Sequence, residues 1–155
     1  MWDRKFFKNN IIFMKLYPRQ EYKKIKQTIL ADKWLTYCPF CHPQDDKDLL
    51  LWEWKYWFIV HNKYPIWGRD DHIMAIPKRC VEFTKDLNWQ EMSEFPEVET
   101  FMSTFYKDHS SYWSMIRQSS NIKSILHLHY HYLPWDIHAR DIESMFESQD
   151  LRSNI

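Results

Sequence analysis

A chain of 155 residues with a formal charge of zero, 45% hydrophobic and 27% charged, has the composition of an ordinary globular domain, which excludes a disordered chain and leaves room for one core but not two. No apolar run approaches the roughly 20 residues of a membrane-crossing helix, and Asn10-Ile11-Ile12-Phe13-Met14 is too short for the apolar stretch of a secretory leader. The expectation is a cytoplasmic protein without a membrane partner. Nine Trp, nine Tyr and ten Phe against a single Gly predict a ring-rich core with few backbone positions at positive φ.

The first 30 residues carry eight Lys or Arg against Asp3 and Glu21. From Pro18 to about Ala31 the apolar Tyr22, Ile25 and Leu30 among lysines read as a short amphipathic helix. This basic arm reads as a solvated helix face, with nucleic-acid binding as the alternative. Leu49 to Val60 is dominated by apolar and aromatic residues, as two short strands split around Glu53 to Tyr56 or one long strand. Asn62-Lys63-Tyr64-Pro65 follows as a turn, and His72 to Ile76 as a strand closed by Pro77.

Asn88 with Glu91 three residues on has the form of a reciprocal helix cap, with Trp89 to Phe95 as the helix behind it. Pro96 is expected to interrupt that helix, so that a second helix or a kinked continuation runs to about Tyr106 with Val98, Phe101, Met102 and Phe105 facing inward. Tyr112 to Arg117 and Ser124 to Leu133 are two further strands, and Ile142, Met145 and Phe146 mark a terminal helix before a frayed polar tail. Four or five strands, two to four helices and short links make an α+β pattern on an antiparallel sheet.

In a strand, alternate residues point to one face about 6.5 to 7 Å apart, so His127, His129 and His131 form an imidazole row with Leu128, Tyr130 and Tyr132 behind it. The flanking Ile125, Leu126, Leu128 and Leu133 argue against a solvent-facing edge. Neutral imidazole is a good nucleophile toward phosphorus, and a neighbour on its second nitrogen fixes its tautomer. The middle histidine has a partner on either side. Two other readings stand beside this one: a metallohydrolase in which triad histidines bind a catalytic zinc, and a non-enzymatic module binding nucleotide or nucleic acid through the basic arm and aromatics. Three cysteines without a secretory leader point to reduced thiols. Cys38-Pro39-Phe40-Cys41 has a spacing open to zinc binding, redox chemistry or coincidence.

The stretch Ser124-Ile125-Leu126-His127-Leu128-His129-Tyr130-His131-Tyr132-Leu133 resembles the signature of the histidine triad superfamily, and the upstream Asn62-Lys63-Tyr64-Pro65 and Asp71-His72-Ile73-Met74-Ala75-Ile76-Pro77-Lys78-Arg79 resemble that family's turn and next strand. The resemblance spans about Tyr37 to Pro134. It implies a central antiparallel sheet of about five strands with flanking helices, usually a homodimer, and hydrolysis or transfer at the α-phosphate of a nucleotide, such as a dinucleoside polyphosphate or a nucleoside phosphoramidate. Three segments follow: a basic extension over 1–36, the catalytic domain over 37–135, and a helix and tail over 136–155. By position, the resemblance makes His129 the nucleophile, His131 a hydrogen-bonding partner on the phosphate side, Ser124 a phosphate ligand and Asn62 a ribose contact, and it places His72 in the active site. Many members have a Gly-rich loop before the triad; here Ile116 to Lys123 contains no Gly, and Arg117 and Lys123 offer charge to phosphate instead.

Zinc-containing members resemble the galactose-1-phosphate uridylyltransferase branch in using C-x-x-C, a histidine just after the Pro-Lys strand, and the first triad histidine. In this chain Cys80 stands after Pro77-Lys78-Arg79. The resemblance thus implies a structural zinc ion on Cys38, Cys41, Cys80 and His127, with Cys for His an exchange zinc accepts. His42 competes for the fourth position.

Overall fold

The computed structural model describes Glu21, residues 38–45, 49–66, 69–118 and 125–134, and 138–150 with side chains as far as 144. The helix expected at 18–31, apart from Glu21, and Ser124 lie outside the described residues. Five strands, β1 (Leu50–Glu53), β2 (Trp57–His61), β3 (Ile73–Pro77), β4 (Tyr112–Met115) and β5 (Tyr130–Pro134), form one sheet in the order β1-β2-β3-β5-β4. Every neighbouring pair is antiparallel. With the helices α1 (Trp89–Phe105) and α2 (Ala139–Asp150) this is the expected α+β architecture.

The strand alternation divides the side chains between two faces. Trp57 and Ile59 of β2, Ile73 and Ala75 of β3 and Tyr132 of β5 pack with Val98, Phe101, Met102 and Tyr106 from α1 and its end, all within 1% of full burial. On the other face Phe58, Val60, Met74 and Ile76 pack under Phe40 from the C-x-x-C turn. The register sets Met74 beside His131 and His61 beside Ile73, so Asn62, His72 and His131 share the face that Phe40 covers. The apolar run of β2 and β3, buried at every position, is what a strand covered on both faces requires.

Helix α1 begins as expected. Asn88 Oδ1 accepts from Glu91 N–H at 2.9 Å and Glu91 Oε2 accepts from Asn88 N–H at 2.8 Å, the reciprocal pairing that satisfies two end donors. It is one helix through Pro96, however, and not two. A proline costs its helix one N–H donor, here the one that would reach Met92; Pro96 is exposed, and the inward Val98, Phe101 and Met102 hold the helix to the sheet beyond it. Glu94 accepts from Tyr56 N–H at 2.7 Å and Lys55 N–H at 3.2 Å, tying α1 to the β1–β2 turn. Trp57 Nε1 donates to Glu91 O at 2.8 Å. Among the described residues no helix is long and apolar enough to cross a membrane.

The last strand is a correction. The sequence predicts one strand from Ser124 to Leu133 with all three histidines on one face, but β5 starts only at Tyr130, and residues 125–129 are irregular. Instead of a ladder partner, Leu128 N–H finds Val81 O at 2.7 Å. The same detour buries Leu128 and leaves Leu126 44% exposed, so Leu126 does not act as the core flank that strand geometry assigned to it.

Candidate active site and metal centre

The C-x-x-C segment closes on itself as a turn, with Cys41 N–H donating to Cys38 O at 3.2 Å. Buried Phe40 anchors that turn on the sheet. Its ring lies 5.1 Å from the His129 ring and 6.3 Å from that of His127, both edge-on. This sets Cys38 Sγ 3.2 Å and Cys41 Sγ 3.6 Å from His127 Nδ1. Cys80, just past β3, completes a group whose four donor atoms lie within 4.8 Å of one another.

Those residues fit a metal ion. Tetrahedral zinc with bonds of about 2.3 Å to sulfur and about 2.0 Å to nitrogen sets sulfur and nitrogen about 3.5 Å apart, close to both distances above. His127 Nε2 donates to Pro77 O at 2.8 Å, so in the neutral ring the lone pair is on Nδ1, facing the sulfurs. Charge points the same way. Burial opposes a thiolate at Cys38, but with the His127 ring protonated its Nδ1–H and charge, together with the Phe40 backbone, outweigh it and bring that thiol down to about 7. Burial and the neighbouring Cys38 push Cys41 up to about 12, and partial desolvation with Cys38 also raises Cys80. Three crowded thiols resist accumulating negative charge, which is the repulsion a divalent cation relieves. His42 is exposed and stands outside this group.

The remaining histidines are arranged by main-chain groups. His129 Nδ1 faces His127 O at 2.7 Å; a carbonyl only accepts, so the proton is on Nδ1 and the lone pair of the neutral ring is on Nε2. Ile66 N–H donates to His72 Nδ1 at 3.0 Å, which puts the His72 proton on Nε2. That nitrogen lies 2.9 Å from His131 Nδ1. His131 therefore accepts there and carries its own proton on Nε2. The His129 and His131 rings meet edge-on at 4.8 Å, and His72 and His131 lie at 5.1 Å. One side of the sheet thus brings together an imidazole with a basic Nε2 and an imidazole with an N–H donor.

Asn62 and His72 are both buried, at 8% and 0% exposure. Asn62 N–H donates to His72 O at 3.0 Å, and its Oδ1 accepts from Tyr64 N–H at 2.9 Å in an Asx turn. The structure thus joins Asn62 to His72. Arg117 stands two residues past Met115, whose register partner is His131, beyond the end of the ladder. Sequence reasoning missed Phe40 and the backbone groups of Ile66 and Pro77. An aromatic ring inside a C-x-x-C turn is a usable signal for Phe40, whereas a peptide N–H or carbonyl leaves no mark in the sequence.

No protein-family model and no curated protein matches the chain. Solved structures do. The NitFhit protein of Caenorhabditis elegans superposes with a TM-score of 0.53 at 23% identity over 70% of this chain, which spans 27% of that protein's length. A hypothetical histidine triad nucleotide-binding protein of Sulfolobus tokodaii gives 0.55 at 20% identity, covering 65% of this chain and 71% of the other. A zinc-bound histidine triad family protein of Mycobacterium smegmatis gives 0.53 at 16% identity, covering 65% and 76%. With an antiparallel five-stranded sheet, a helix covering one face and the alternating histidines leading into β5, this chain has the histidine triad fold.

Proposed function

We propose that the chain is a nucleotide hydrolase or nucleotidyl transferase of the histidine triad type, acting at an α-phosphate through an intermediate on His129. The observation that carries this reading is the 2.7 Å hydrogen bond from His129 Nδ1–H to His127 O, which holds the proton on Nδ1 and so puts the ring's lone pair on Nε2. Nε2 attacks the α-phosphorus and a P–N bond forms. The bond to the leaving group breaks, its electron pair leaves with that group, and solvent supplies the proton. Water, giving up a proton to solvent, or a second phosphate then attacks phosphorus, the P–N bond breaks and the lone pair returns to Nε2. His131 Nε2–H donates to a non-bridging oxygen, where charge develops. Ser124 and Arg117 are assigned to the phosphate.

Cys38, Cys41, Cys80 and His127 would hold a structural zinc ion, which when bound supplies a cross-link between the 38–41 turn, the Cys80 loop and the triad segment. The nucleotide-binding name of the Sulfolobus protein and the zinc of the Mycobacterium protein support the two parts of this reading.

The test is covalent trapping. Brief exposure to α-phosphate-labelled dinucleoside polyphosphate, quenched in base because a phosphoimidazole bond is acid-labile, should place label on the peptide holding His129 and none in His129→Ala. No label on the unsubstituted protein, with turnover lost on chelation while the fold persists, would refute the mechanism.

A further inference from the structure

One hydrogen-bond neighbour of His72 stands apart in its geometry. Asn62 Nδ2 is 3.3 Å from His72 Nδ1 and also 3.3 Å from His72 Nε2. An atom in the ring plane cannot be that close to both, because Cε1 lies between them on one side and the Cγ–Cδ2 edge on the other. The amide nitrogen therefore sits over the face of the imidazole. In-plane partners are already present at both nitrogens, Ile66 N–H at Nδ1 and His131 at Nε2. Asn62 is held in this place by its own Oδ1, which accepts from Tyr64 N–H at 2.9 Å.

We propose that Asn62 is a positioning residue acting through His72: its amide N–H on the ring face, with Ile66 N–H in the ring plane, keeps His72 neutral and oriented so that Nε2–H donates to His131. An N–H donor directs the positive end of its dipole at the π face. That contact favours a neutral ring and disfavours an imidazolium. If His72 became protonated on Nδ1, it would also lose the Ile66 bond. The ionisable group facing His72 from β5 is His131, with His129 edge-on beyond it. The carboxylate of Asp71, next along the chain, is held by Arg69 at 2.9 Å and lies 3.7 Å from His109. The assignment of His131 to phosphate rests on the function proposed above; the control of His72 by Asn62 does not.

Asn62→Asp is the informative change, because an aspartate still accepts from Tyr64 N–H and keeps the turn while replacing the donor over the ring by a carboxylate. Histidine ¹⁵N and ¹³C NMR titration of the full chain should show His72 with its proton on Nε2 in the unsubstituted protein, and in Asn62→Asp a titration midpoint raised by about one pH unit or more. Asn62→Ser keeps a turn acceptor and removes the donor, and should move the midpoint the same way by less. A midpoint unmoved in both folded variants, or a His72 proton on Nδ1 in the parent, overturns the proposal. Nucleotide turnover measured on the same samples separates the two ideas. A parent without turnover sinks the enzymatic reading and leaves the titration to decide the role of Asn62.

Discussion

Glu91 links the start of α1 to the loop that carries Cys80, and its removal has a cost that can be worked out. Its side chain is 2% exposed and accepts from Asn88 N–H at 2.8 Å and from Arg79 at 2.9 and 2.7 Å. Losing the cap costs about 1 kcal/mol. The two bonds to Arg79, whose side chain is half exposed, add about 1 kcal/mol after solvent screening. Glu91→Ala should then destabilise by about 2 kcal/mol and lower the melting temperature by about 4 to 8 °C for a chain of this size. Glu91→Gln keeps the cap geometry and should cost about half as much. Burial raises the Glu91 pKa, but Arg79 and the Asn88 backbone outweigh it, so the folded value lies below the ordinary one. A depressed carboxylate contributes stability that is present above the unfolded value and lost as pH falls through the folded one. Urea titrations from pH 7 down to pH 3 should therefore show the gap between the parent and Glu91→Gln closing below about pH 4.3. A gap independent of pH, or a loss below about 0.5 kcal/mol for the alanine variant, which is within the range of ordinary surface changes, would refute the reasoning.

Phe40 is 8% exposed and covers the second face of the sheet. Phe40→Ala should cost about 3 kcal/mol, the lower end for a buried ring, and Phe40→Leu about 1 kcal/mol; equal urea midpoints for parent and alanine variant would show that the turn does not seal that face. If the four donors hold zinc as proposed, Cys80→Ala should weaken binding in a chelator competition by more than about 100-fold, beyond the effect of outer contacts. Cys80→His should restore most of it. Parent protein purified without zinc, or unchanged affinity in the alanine variant, would count against the four-donor centre.

Period and capping made most of the fold legible. The aromatic runs of β1 and β2 and the Asn88 to Glu91 pairing were readable because burial on both faces and satisfaction of helix-end donors act through nearby residues. Pro96 left a second helix or a continuation open, and the helix continues because the local cost of one missing donor is smaller than the packing of Val98, Phe101 and Met102 on the sheet. The triad strand misled. Alternation describes a strand only while its ladder lasts, and contacts of His127 with Cys38 and Cys41, far off in sequence, take residues 125–129 out of the sheet. The convergence of Cys80 with the turn cysteines was reached from family resemblance; spacing alone left it open. Asn62 was named from the sequence as a candidate site residue, but its place over His72 depends on a register that no single segment encodes.

Three imidazoles at this site have their protons placed by the carbonyls of residues 77 and 127 and the amide of residue 66. Any amino acid supplies the carbonyl, and any but proline supplies the amide. Those positions can therefore drift in sequence without altering the protonation pattern, provided the chain path is kept. A chemistry written into the main chain in this way can outlast the side-chain likeness by which kinship is usually seen. It gives a physical reason why the placement of these histidines need not show in the identities of the side chains around them.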